Sequence, residues 1–106
     1  MKIKSKKFAA LVLRRKQPFT DWLKDADNRA GSDSDYEFPG DYGTYLVKGV
    51  NTATEAENFV RNHYKELLEN ELAEWHESTF WPEELSYELF CRWFKVEVHR
   101  QVYRVG

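Results

Sequence analysis

Six consecutive apolar positions, residues 8–13 (FAALVL), stand between lysines and arginines near the start of the chain. A short continuous run of this kind predicts a strand covered on both faces. The next stretch, QPFTDWLKDAD, predicts a short helix ending near Asp27. Pro18 suits the first helical position, Asp21 suits the positive end of the dipole, and Phe19, Trp22, Leu23 and Ala26 recur on one face. Residues 28–43 (NRAGSDSDYEFPGDYG) have the composition of a loop, long enough to belong to the kind that often carries function. Residues 44–50 (TYLVKGV) predict a second strand, ended by Asn51.

The clearest pattern follows. Thr52 and Glu55 have the spacing of a capping box. Ala56, Phe59, Val60, Tyr64, Leu67, Leu68, Leu72 and Trp75 then recur at steps of three, one and four, an apolar stripe that predicts a helix over about 53–76. Glu57, Arg61, Lys65, Glu66 and Glu69 occupy the opposite face, with Glu57 and Arg61 placed as a well-oriented i,i+4 pair. The segment HESTFWP breaks the pattern, because Pro82 disfavours a helical Trp81. A further helix is predicted from about Glu83 or Ser86 to Phe94, burying Leu89, Phe90, Trp93 and Phe94. From Lys95 the period changes to two, and Val96, Val98 and Val102 predict a third strand in preference to a continued helix through Val98, Val102 and Val105. The order is then β-α-β-α-α-β. The expected fold is α+β, a sheet of about three strands packed on one long helix. Residues 1–106 are expected to form a single domain, with 1–6 a flexible basic terminus.

Composition narrows the class. Four Trp, six Tyr and seven Phe in 106 residues exclude a disordered chain and suggest a core built on a few large side chains. The single cysteine excludes an intrachain disulfide and fits a reducing cytoplasm. The basic start resembles a signal peptide only superficially, since its apolar run of six residues is cut off by Arg14, Arg15 and Lys16. No apolar stretch is long enough to span a bilayer, so no membrane association is expected. The net charge is only −2, yet residues 1–16 carry seven basic and no acidic groups, whereas residues 17–91 carry 17 acidic and five basic ones. Segregation of this kind suits an acidic or nucleic-acid partner, and equally a basic strand lying beside an acidic helix of its own chain.

Candidate chemistry is sparse. His63, His76 and His99 have no metal-ligand spacing, and no Glu lies three residues before any of them. Asp25, Asp27, Asp33, Asp35, Glu37 and Asp41 crowd one loop. However, frames begun at Asp25 or Asp33 lack both the turn glycine and the glutamate of a calcium loop, so a solvated acidic loop is expected. No glycine-rich phosphate loop and no G-x-S-x-G elbow occurs. Cys91, beside Phe90, reads as a buried inert thiol, and His63 as a histidine at the edge of the core. No catalytic residue, metal or cofactor is assigned, and an enzyme is the less favoured reading.

Binding candidates are of two kinds. Trp75, Phe80 and Trp81 gather at the helix break with Tyr87 nearby, as interface aromatics do and as core plugs also do; the core role is preferred. Glu69 and Glu71 lie on the acidic helix, while Arg14, Arg15, Arg100 and Arg104, joined by Lys16, are the candidates for a basic sheet patch. The leading reading is a non-enzymatic protein-interaction domain whose acidic helix meets a basic partner or the basic strands of a second copy, as in a homodimer. The alternative is weak nucleic-acid binding through the basic patch, and the third is a small enzyme of unrecognised type.

Residues 20–105 also resemble a group of small uncharacterised bacterial proteins. The matching features are Asp21-Trp22-Leu23, Tyr45-Leu46-Val47, the run ENELAEW ending at Trp75, the Trp81-Pro82 step, and Phe90, Trp93 and Phe94 before a final strand. The resemblance implies the fold and a bacterial cytoplasmic origin. It implies no activity and no site residue.

Overall fold

The computed structural model describes residues 2–4, 8–34 and 42–105, with residues 2–4 and Arg104 described by backbone alone. Strand β1 (Lys2–Lys4) is followed by β2 (Phe8–Arg15), helix α1 (Gln17–Ala30), β3 (Gly43–Lys48) and the long helix α2 (Ala53–Ala73). A single 3₁₀ turn (Ser78–Phe80) leads to α3 (Tyr87–Trp93), β4 (Phe94–His99) and β5 (Tyr103–Val105). The fold is α+β. β2 lies at the centre of a three-stranded antiparallel sheet of order β3-β2-β4, and β1 and β5 pair antiparallel in a separate ribbon.

Local chemistry accounts for the helix limits. α1 starts with Pro18 in its first turn and runs three residues past the expected end, closing on Gly31 in the left-handed region (φ 68°). At α2 the Thr52 hydroxyl accepts the Glu55 backbone N–H at 3.1 Å, the first half of the expected capping box. Ser86 does the same for α3, accepting from Leu89 N–H at 3.1 Å. The stripe of α2 packs as its spacing requires. Ala56, Val60, Leu67, Leu68 and Leu72 are buried, and Phe59, Tyr64 and Trp75 pack at the edge.

Four expectations are corrected. Among the described residues β2 packs into the core on one face only: Ala9, Leu11 and Leu13 are buried, while Phe8, Ala10 and Val12 point to the other face and are half-buried, outside the core. Residues 95–105 are extended, as preferred over helix, but as two strands rather than one, because the ladder stops at His99 and exposed Arg100 and Gln101 carry the chain to β5. Cys91 is exposed. On the short α3 the buried positions are Leu89, Phe90 and Trp93, and a residue two places from Leu89 and Trp93 falls on the far side. Asp27 is not solvated; it is 5% exposed. Asp35, Glu37 and Asp41 of the same acidic stretch lie outside the described residues, as do Met1, Ser5 and Lys6 of the basic terminus, within which Lys2–Lys4 forms β1.

Candidate functional site

Features that could carry a function include the open face of the sheet and a cleft at one end of α2. The open face is set by the period-two alternation of β2, which sends Phe8, Ala10, Val12 and Arg14 away from the helices. Register places Leu46 and His99 on either side of Ala10, Thr44 and Glu97 beside Val12, Lys95 beside Arg14, and Lys48 beside Phe8. The result is a central apolar row with a polar rim. Leu46 is 64% exposed. Arg14 is ion-paired with Glu97, which also lies 3.4 Å from His99, and Lys48 Nζ sits 5.5 Å from the Phe8 ring. Slight desolvation would raise the Glu97 pKa, but the charge and hydrogen bond of Arg14 outweigh it and hold the carboxyl below its ordinary range.

The cleft lies where the start of β3 meets the C-terminal third of α2 and has a volume of about 440 Å³. Its floor is Glu71, 5% exposed. The Tyr45 hydroxyl donates to Glu71 Oε2 and accepts from Asn70 Nδ2 at 2.9 Å. Gly43 is needed here, because a Cβ at that position would run into the Glu71 carboxyl. Burial raises the Glu71 pKa; the Tyr45 hydroxyl and the Arg15 charge offset that only partly. Burial, and then the bond to Glu71, push the Tyr45 phenol well above its usual value. The Arg15 guanidinium lies 4.8 Å from the Tyr42 ring centroid and 5.6 Å from that of Trp75. Among the described residues the cleft offers no nucleophile paired with a base.

A second buried carboxyl, Asp27, has a different environment. It accepts from Ser34 N at 3.0 Å and Ser34 Oγ at 2.6 Å, and lies 2.6 Å from His76 Nε2. The serine points at the aspartate rather than at the histidine, so this is not a nucleophile–base pair. It ties the segment after α1 and the segment after α2 to the end of α1. Among the described residues no group of three or more His, Cys, Asp and Glu is placed to hold a metal ion, and no helix is long and apolar enough to cross a membrane.

The structure gathers Arg15, Glu71 and Trp75 of the residues singled out in the sequence around the cleft, with Arg14 reaching the Tyr42 ring at its edge, and places the others elsewhere. Phe80 and Trp81 turn the other way: the Phe80 carbonyl accepts from Trp22 Nε1 at 3.0 Å, and Trp81 Nε1 donates to the His76 carbonyl at 2.8 Å. Tyr87 packs against Tyr64. Glu69 is half-buried on α2. Arg14 and Arg15 leave β2 on opposite faces, yet their guanidinium groups meet again over one ring, 5.1 and 4.8 Å from the Tyr42 centroid, while Lys16 Nζ donates to the Cys91 carbonyl and Arg100 lies beyond the end of β4. Arg104 is in β5, and its side chain lies outside the described ones. Sequence reasoning missed Tyr42, Tyr45 and Asn70. The signal for Tyr45 was present, since alternation puts it on the same face as buried Val47. No family model, curated protein or solved structure matches the chain.

Proposed function

We propose that the protein is a non-enzymatic interaction module that pairs with a second copy of itself through the open face of its three-stranded sheet. One observation carries the reading: β2 is apolar on both faces, and among the described residues only one of them packs into the core. The exposed large hydrophobic residues among those described, Leu46, Tyr103 and Val105, lie on this face or on the ribbon at its end.

The face is complementary to itself. A two-fold axis between two stacked faces, running across the strands, sets Val12 over the other copy's Ala10, Arg14 over Phe8, and Glu97 over His99. Ala10 and Val12 then meet each other, Leu46 meets the methyl-bearing Thr44, a cation meets a ring, and a carboxylate meets an imidazole. An axis along β2 would instead bring Arg14 against its own copy, a like-charge contact. The face is small. Three strands ~4.8 Å apart and four residues of ~3.3 Å rise make a footprint well under the roughly 800 Å² per partner of a standard interface. The dimer is therefore weak, with a dissociation constant on the order of tens of micromolar.

The basic residues give less support to nucleic-acid binding, because Arg14 is engaged by Glu97 and the guanidinium groups of Arg14 and Arg15 both lie against the Tyr42 ring. A cytoplasmic setting suits the exposed lone thiol of Cys91, and the sequence resemblance supports a bacterial one. Sedimentation equilibrium up to about 0.5 mM tests the reading, a range that spans the expected dissociation constant. The native chain self-associates and Val12→Glu is a monomer with unchanged circular dichroism. A native chain that stays monomeric throughout, or a Val12→Glu variant that associates equally well, refutes it.

A further inference from the structure

We propose that the cavity where the first half of α2 meets α3 and β4 is a binding site for a small, uncharged, largely apolar molecule. It is separate from the open sheet face and from the cleft beside Glu71.

The cavity has a volume of about 410 Å³, within the range of ligand sites. Protein interiors leave few voids larger than a water molecule, so a space of this size is more than a packing imperfection. Ala56 and Val60 of α2, Phe90 of α3 and Phe94 of β4 are buried and form its floor. Half-buried Val96 and Val98 continue the apolar lining, because alternation along β4 keeps them on the same face as Phe94. Among the described residues none of the lining comes from β2 or β3, so the cavity lies at the β4 margin of the sheet. Its walls are held without an occupant. Ser86 caps α3, Lys16 Nζ donates to the Cys91 carbonyl at 2.8 Å, and the Tyr87 ring meets that of Tyr64 edge-on at 5.6 Å. α3 cannot settle into the space without giving up these contacts.

The lining selects the ligand. Water fills an apolar cavity poorly, because it finds few hydrogen-bond partners there. A charged ligand fits poorly as well. The one carboxylate of the lining, Glu57, is exposed at the mouth and already paired with Arg61 at 3.0 Å, so an ion entering the cavity would lose its hydration without gaining a free counter-charge. The Tyr87 phenol is pushed above its usual value, first by the Cys91 thiol and then by burial, and stays uncharged. Tyr87 and Cys91 thus offer a hydroxyl and a thiol, which suit one neutral polar atom such as an alcohol oxygen.

Cys91, the single cysteine of the chain, lines the cavity and is exposed, so its reactivity reports whether this site is filled. The test follows its reaction with dithionitrobenzoate as straight-chain alcohols from butanol to octanol are added, with free glutathione as the control thiol. The alcohols slow Cys91 saturably and leave glutathione unaffected, and the concentration for half-protection falls about fourfold with each added methylene. The matched carboxylates and amines protect at least about tenfold more weakly. Ala53→Trp, at an exposed position of the lining, and Val98→Phe each weaken octanol about tenfold with unchanged circular dichroism, whereas Val12→Glu, on the open sheet face, binds like the native chain. The proposal is overturned if no alcohol protects Cys91 up to its solubility limit, if octanoate or octylamine protects as well as octanol, or if butanol and octanol protect equally. Native-like protection by octanol in both Ala53→Trp and Val98→Phe, or its loss in Val12→Glu, overturns it as well.

Discussion

Two carboxyl groups, each about 5% exposed, respond to burial in opposite ways, and the difference lies in their donors. Burial pushes both pKa values up, but at Asp27 the hydrogen bonds from Ser34 and His76 overcome it and hold the group below its ordinary value. Because the folded value is depressed, the stabilisation from Asp27 is complete above the unfolded pKa of 3.8 and is lost as pH falls through the lower folded value. Asp27→Ala should cost about 1.5–3 kcal/mol at neutral pH, the worth of hydrogen bonds to a charged group, and should flatten the acid limb of a denaturation profile. A variant as stable as the native chain would mean that the Ser34 and His76 contacts contribute nothing. Glu71 has the reverse sign. Its folded pKa is raised, so its contribution is complete below the unfolded value of 4.5 and is lost as pH rises through the folded value. Glu71→Gln should therefore be neutral or stabilising at pH 7 in urea denaturation, with a weaker decline toward alkaline pH; a clear loss of stability there would contradict the account. Neither burial was read from the sequence, although the spacing held it: Asp27 lies four residues after Leu23, and Glu71 four after Leu67, each at the margin of an apolar stripe. Composition suggested solvent for both, and the stripe was the better guide.

At the scale of elements, legibility followed the length of the repeating pattern. α2 offers six turns of consistent spacing and a capping pair, and its expected start matches the observed Ala53. Leu68, wholly buried in the middle of that stripe, should cost about 2–5 kcal/mol when changed to alanine, read from chemical denaturation. A cost below about 0.5 kcal/mol, the level of a surface change, would remove α2 as the pillar of the core. β2 was legible as a strand but not in its surroundings. A continuous apolar run gives the same signal whether the second face is covered by the chain itself or left open, and the sequence contains no segment that distinguishes the two. The final strands were blurred for a related reason: valines at 96, 98 and 102 keep one phase across a break at Arg100, where the pairing with β2 stops although β2 itself runs on to Phe8. The cleft was legible only as separate residues. Arg15, Glu71 and Trp75 come from different elements, and only the crossing of α2 over the start of β3 unites them.

The molecule as a whole is elongated. Its extents are 47 × 29 × 20 Å and its radius of gyration is 15.3 Å, against roughly 13 Å for a compact chain of this length. The cause is the ribbon. β1 and β5 continue the β2–β4 pairing beyond the sheet after a shift in register, Ala10 facing His99 and Lys4 facing Tyr103. In the proposed two-fold stacking each ribbon would extend past the Phe8 row toward the Arg14 end of the other copy and bring Tyr103 and Val105 against it. Deleting residues 103–106 should therefore weaken self-association in sedimentation experiments while leaving the melting temperature nearly unchanged; equal association would detach the ribbon from the interface. The most direct measurement is an isotope-filtered NOE experiment on a mixture of labelled and unlabelled protein, which records only contacts between copies. The account predicts cross-peaks between the methyl groups of Val12 in one copy and Ala10 in the other. Inter-copy cross-peaks confined to α2 or α3, or none under conditions where sedimentation shows a dimer, would contradict it.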